Sequence, residues 1–429
     1  MRQMRNTAKK YRAASVLILL LIAVSVSGCY DQREIDDLAY PLAVGLDIGE
    51  ANALRMTLQL AAPLAIGGGG GGESGGGSGS SEGNTSSVIT VDTPTLYSGL
   101  DLINNIISKE INLSHAKVII FSRRLAEAGI SKYIQAIQRG REFRPNMFVM
   151  VSNEPPDEYL KNIKPILESN PSKYYELLLG KDYASFFDDV RMSDFHFAIE
   201  SDFKEPAAIL TGINKKENVE QLGQSGGHRN AARPEGIYEA GDIPVISDLK
   251  NVVMGIAVFK EGRMVGTLNG AEASCYQMLT GNYGHSYWTV PDAYDAGKLV
   301  VMDIIQRSRP KVTAVLNDGK AVFDIVLDLE GDFTSIQSSF RYEDYPQPME
   351  DKASEMIKKE VTSMLKKTTE QFDSDICGFG RYLKGKFLTL DDWKKFNWPE
   401  QYRNAEFNVK VDLKVRRTGL IIKSMQQSE

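Results

Sequence analysis

The sequence predicts an α+β fold, with mixed and antiparallel sheets packed against helices in at least two domains. Strand-length runs of period two, such as Leu54, Met56, Leu58 and Leu60, are followed by helix-period stripes such as Leu96, Leu100, Ile103 and Ile107. The second half carries hairpin signals, among them Asn317-Asp318-Gly319 between two apolar runs, in place of repeated strand–helix–strand units. At 429 residues the chain also exceeds the size at which one hydrophobic core stops growing.

The first element is read as a signal that is removed. Arg2, Arg5, Lys9, Lys10 and Arg12 precede an uncharged, mainly apolar run from Ala13 to Val26, the order of a secretory n-region and h-region. That run is too short for a spanning helix, which needs about 20 residues. Ser27-Gly28 then stands directly before Cys29, the lipobox pattern. The expectation is cleavage between Gly28 and Cys29, with residues 1–28 lost and diacylglycerol plus an N-acyl chain carried covalently by Cys29. Losing five basic and no acidic residues takes the formal charge from −6 to −11. So acidic a body excludes nucleic acid as an expected partner and leaves the acyl chains to hold the membrane.

Residues 29–205 are read as an N-terminal α+β domain. Leu42–Ile48 and Leu54–Leu60 form a hairpin about the Gly49–Asn52 turn. The glycine-rich stretch 67–87 is an expanded loop: no Gly-Lys-Ser/Thr follows it, so it is not a phosphate cradle, and it offers nothing to bury. Val88–Val91 is a strand, Thr93-Pro94 a helix start, and Leu96 to Ile107 the helix. A strand from His115 to Phe121, a helix to about Gln138, a strand from Asn146 to Val151 and helices near 157–167 and 171–179 follow. Periodicity fades over 206–247, read as a linker. The C-terminal α+β domain, 248–429, opens with the hairpin Val252–Phe259 and Met264–Leu268 and a helix after Gly270. Strands at 312–316 and 321–329, a long helix from Met349 to Phe372 and a strictly alternating strand from Phe407 to Arg416 complete it.

Several of these segments resemble one family in order. Gly28-Cys29-Tyr30-Asp31-Gln32-Arg33-Glu34-Ile35 resembles the opening of the Ger(x)C family, the lipoprotein C subunits of spore nutrient germinant receptors, where tryptophan usually stands in place of Tyr30. His115-Ala116-Lys117-Val118-Ile119-Ile120 and Leu125-Ala126-Glu127-Ala128-Gly129-Ile130 match its first domain. Ala257-Val258-Phe259-Lys260, Gly270-Ala271-Glu272 and Asp375-Ile376-Cys377-Gly378-Phe379-Gly380 match its second, with Trp393 and Trp398 fitting a tryptophan-bearing segment. The resemblance implies a non-catalytic, lipid-anchored subunit on the outer face of the spore's inner membrane, partnered by two membrane-embedded subunits of the same receptor. The alternative is the lipid-anchored solute-binding protein of an importer, which would want repeated parallel units around a cleft.

The residues themselves point to no catalysis and no metal or other cofactor. His115, His196, His228 and His285 are scattered, without the spacing of a zinc site. No nucleophile elbow precedes a helix. Asp188-Asp189 and Asp391-Asp392 read as solvated surface, and Asp375 as the acid of a tight turn. Cys275 and Cys377 read as two buried free thiols, although an exported chain would permit a disulfide.

Overall fold

A computed structural model of the chain describes residues 14–18, 34–61, 86–140, 142–164, 167–168, 171–180, 185–215, 234–295, 297–342 and 344–417. Gly28, Cys29 and all of the 67–87 stretch except Ser86 and Ser87 lie outside them. Among the described residues no helix is long and apolar enough to cross a membrane.

The chain opens with β1 (Leu38–Ala39), β2 (Pro41–Ile48), β3 (Leu54–Ala61) and β4 (Ser86–Thr93). The expected hairpin is present, Val44 facing Leu58 and Asp47 facing Arg55. Then come α1 (Leu96–Asn104), β5 (Glu110–Ile111), β6 (Val118–Ser122), α2 (Arg123–Ala128), α3 (Ser131–Arg139) and β7 (Phe148–Ser152). The helix start falls two residues later than expected. Thr95 caps α1, in a capping box with Ser98, while the Thr93 hydroxyl donates to the Thr95 carbonyl and ends β4. His115 precedes its strand, in a 3-10 turn, edge-on to Tyr40.

After α4 (Pro156–Lys161), α5 (Pro171–Leu179) and α6 (Met192–Glu200) come β8 (Ala207–Ile213), β9 (Asn251–Lys260) and β10 (Arg263–Leu268). These strands complete one sheet of eight, in the order β10-β9-β8-β7-β6-β2-β3-β4. β2, β6, β7 and β8 run parallel, and antiparallel pairs close both ends. All residues of β6, β7 and β8 are buried, as a parallel sheet covered on both faces requires. Here the expected boundary needs correcting. Residues 207–213 are a central strand, not linker, and the expected opening strands of the C-terminal domain finish the first sheet. Ala207–Ile213 escapes a period-two reading because both of its faces are buried.

The rest builds a second layer: α7 (Gly270–Thr280), β11 (His285–Pro291), β12 (Leu299–Gln306), β13 (Lys311–Asn317) and the 17-residue β14 (Lys320–Ile336). Asp318 and Gly319 have φ of 49° and 83°, the two positive values that a tight two-residue hairpin turn requires. Helix α8 (Gln347–Lys366) runs into a π turn over Lys367–Gln371, followed by α9 (Gly380–Lys384), α10 (Leu390–Phe396), α11 (Trp398–Gln401) and β15 (Glu406–Arg417). The alternating strand β15 lies parallel to β14, Leu327 beside Val411. The expectation of antiparallel hairpins therefore holds for β11 to β14 and fails for this last pair.

Two cores result, and β9 serves both. Met254, Ala257 and Phe259 enter the first; Ile256 and Val258 enter the second, with Leu268, Cys275 and the α8 residues Ile357, Val361 and Met364. A strand's two faces are its only means of doing this.

Candidate functional site

The seam between the two layers is where buried polar chemistry concentrates. Helix α7 lies in it. Asn269 accepts from the Glu272 N–H at 2.9 Å while Glu272 accepts from the Asn269 N–H at 2.8 Å, a capping box that fixes the helix start. Lys367 at the end of α8 then pairs with Glu272 at 2.8 Å. Toward the first layer, the Ser274 hydroxyl donates to the Ser185 carbonyl at 2.7 Å, the Gln277 amide to the Phe187 carbonyl, and the Asn282 amide to Asp188 at 3.2 Å. Asp188, expected at the surface, is thus only 7 % exposed. Burial pushes its carboxyl up to about 6, against the Asn282 amide.

The second centre is the Asp375 turn. Asp375 is 3 % exposed, and its carboxylate accepts from the Gly378 N–H at 2.8 Å, the Gly380 N–H at 2.9 Å and the Trp398 indole at 2.9 Å. Burial raises its pKa; the N–H donors oppose that rise. Its backbone carbonyl accepts from the Glu205 N–H at 2.9 Å. Next to it the Ser374 hydroxyl donates to the Phe259 carbonyl at 2.6 Å, and Asp373 pairs with Lys260 at 2.5 Å and Arg403 at 2.9 Å. The turn is therefore riveted to the end of β9. Glu205, accepting from the Glu261 N–H at 2.9 Å, is pushed up by burial to about 7.

Between these centres opens a cleft of about 450 Å³, lined by residues that include Asp188, Lys204, Tyr276, Asn282, Gly378 and Arg381. Of its polar groups, the Asp188–Asn282 pair spans the seam. Among the described residues no three His, Cys, Asp or Glu side chains are grouped to hold a metal. His285 sits against Asp303 at 3.1 Å, and His228 lies outside the described residues. Cys275 and Cys377 are free and buried, and burial pushes both thiols up, away from the reactive thiolate.

The expected site residues Gly28 and Cys29 lie outside the described residues, which begin again at Glu34. The Asp375 turn was legible as a turn; its tryptophan partner, 23 residues on, was not. Also missed was Asp47 at the end of β2. It is 1 % exposed, holds Arg124 through two bonds of 2.6 and 2.7 Å, and accepts from the Ser122 hydroxyl. A lone aspartate in an apolar run was the one signal of it.

With this geometry in hand, the likenesses fall into one group. Residues 31–214 match the family described as spore germination protein N-terminal domain, and residues 254–419 the one described as spore germination B3/GerAC like, C-terminal. The chain is 23 % identical over 415 residues to spore germination protein KC of Bacillus subtilis (strain 168), covering 94 % of this chain and 95 % of that one. It is 20 % identical over 409 residues to spore germination protein GerQC of Bacillus cereus, covering 94 % and 98 %. The crystal structure of the GerBC protein matches with a TM-score of 0.50 at 13 % identity, over 87 % of this chain and 96 % of that one. That last likeness speaks to fold, and it agrees with the α+β layers seen here.

Proposed function

Because the chain belongs to the Ger(x)C family of spore germination proteins, we propose that it is the lipid-anchored C subunit of a nutrient-germinant receptor. In this reading it stands on the outer face of the spore's inner membrane, held by diacylglycerol and an N-acyl chain on Cys29, beside two membrane-embedded subunits. It acts through contact and without turnover. The observation that carries the reading is colinearity: both family domains match in order, and the germination relatives align over nearly the whole length of each chain. The anchor rests on the Ser27-Gly28-Cys29 junction behind its basic and apolar leader.

Tethering gives the protein its leverage. A short leash to the membrane raises its effective concentration toward membrane partners to the millimolar range, where weak contacts suffice for assembly. The test is deletion in the spore former, scored against a panel of nutrients. Normal growth with loss of response to at least one nutrient is expected. A normal response to every nutrient, or an uptake defect in its place, overturns the reading. Cys29→Ala should abolish fatty-acid labelling and weaken the response while leaving the fold intact; label retained on that variant refutes the anchor.

A further inference from the structure

The second layer carries an exposed apolar tip ringed by positive charge. Helices α9 and α10 are joined by the short turn Gly385-Lys386-Phe387-Leu388-Thr389, in which Leu388 is 99 % exposed. Leu390, two residues on, is 64 % exposed. Two leucines so placed gain nothing from the fold and lose hydrophobic free energy to water. The tip is braced: Phe387 packs on Trp393 and Phe396 with ring centres 5.4 and 5.1 Å apart, and Trp393 is 2 % exposed. Thr389 accepts from the Asp392 N–H at 3.1 Å and donates to its carboxylate at 2.7 Å, so this acid is engaged in capping.

Charge surrounds the leucines. Residues 381–396 hold five basic side chains against two acidic ones, in a chain whose net charge is −6. Lys384 pairs with Asp202 at 2.7 Å; Lys386, Lys394 and Lys395 are exposed and have no ion pair among the described residues. An acidic molecule thus presents, at this turn, an apolar point with a basic rim, the complement of a bilayer bearing anionic headgroups.

Topology sets the direction. The parallel registers Ala43 to Val118, Val118 to Phe148 and Met150 to Ile209 put the starts of β2, β6, β7 and β8 along one sheet edge. The Asp202–Lys384 pair fixes the root of the tip beside the chain that feeds β8, while the chain from Cys29 enters at the start of β2. Three strand spacings, about 14 Å, separate those two strands. The stretch from Cys29 to Leu38, in which Ile35–Asp37 is a 3-10 turn, can reach at most about 25 Å. A leash at Cys29 would therefore hold this edge of the molecule toward the membrane.

We infer that the Leu388–Leu390 tip with Lys386, Lys394 and Lys395 is a membrane-docking surface that inserts into an anionic bilayer interface and orients the body on it. The inference adds to the receptor reading and uses its anchor for orientation. The tip's own affinity for lipid requires neither.

The test uses the mature full-length chain as Cys29→Ala, which carries no acyl group. Leu388→Cys, or Asn52→Cys at the opposite sheet edge, is labelled with an environment-sensitive fluorophore. Cys275 and Cys377 are buried and stay unlabelled. Vesicles of phosphatidylglycerol and phosphatidylethanolamine should raise the signal at 388 and not at 52; phosphatidylcholine vesicles should raise neither. Without labels, Leu388→Ser with Leu390→Ser should cut cosedimentation with anionic vesicles at least about tenfold through lost apolar insertion, and separately Lys386→Gln with Lys394→Gln and Lys395→Gln should cut it about a hundredfold, the loss expected for three basic residues at such a surface. An unchanged unfolding midpoint would show that the fold is untouched. No response on anionic vesicles, an equal response at position 52, or a response only when the receptor's membrane subunits are added overturns the inference. A spore lacking the gene that germinates normally would sink the receptor reading and leave the vesicle result standing.

Discussion

Asp375 collects three N–H groups on two carboxylate oxygens in a site closed to water, so each loses much if the arrangement is disturbed. Asp375→Asn keeps the shape but turns one acceptor into a donor facing donors. We expect a loss of about 2–3 kcal/mol in urea unfolding, with the fold retained. Gly380→Ala should do comparable harm by a different route. A Cβ there would overlap the Trp398 ring, and displacing a buried indole typically costs about 1–3 kcal/mol. A neutral outcome for both would mean that the turn is looser than its geometry. Asp188 and Glu205 supply a pH signature. Their folded pKa values, about 6 and about 7, lie above the ordinary carboxylate range, so the folded state binds protons that the unfolded state has released. Stability should therefore fall as pH rises from about 4 to 7. Glu205→Gln keeps the acceptor for the Glu261 N–H and should gain about 2–3 kcal/mol at pH 8, flattening that slope. A slope unchanged by the substitution would refute the assignment. None of this could be read from Asp188-Asp189 as letters: adjacent acids look solvated until Asn282 and α7 are folded over one of them.

At the scale of elements, local signals worked where one partner lies close in sequence. Asp318-Gly319 announced its hairpin because both residues accept positive φ. The alternation of Glu406–Arg417 announced a strand, but nothing in it could say that β14 would be its neighbour or that the pair would be parallel, since the chain returns after some 70 residues of helix and turn. The two ends around the glycine-rich stretch are instead immediate neighbours. Ala61 pairs with Ser86 across β3 and β4, so a two-residue Asn-Gly turn is long enough to join them. Replacing residues 62–85 by such a turn should leave the urea midpoint unchanged or raise it, since closure cost falls by about 0.6 kcal/mol for each halving of a loop. A sharply lower midpoint would show that the excised residues pack against the body.

For the whole molecule, the telling feature is that β9 belongs to both cores. The α+β class and the order of elements were legible; the start of the linker was not, because a boundary inferred from fading periodicity cannot register a strand that is buried on both faces. With one strand shared, we expect a single calorimetric transition for the mature chain, its van't Hoff and calorimetric enthalpies equal. Two resolved transitions would show that the layers melt independently. A fragment ending at Asn214 should fail to fold, because it leaves the β8 edge, with Ile209 and Leu210 fully buried in the complete chain, open to water and to other strands. The same arrangement imposes a timetable on biosynthesis. A chain made from its N-terminus reaches Ile213 roughly fifty residues before Leu268 closes the sheet, an interval of several seconds at about 5–20 residues per second. Until that closure the β8 edge is a bare hydrophobic template, open to pairing with a second chain.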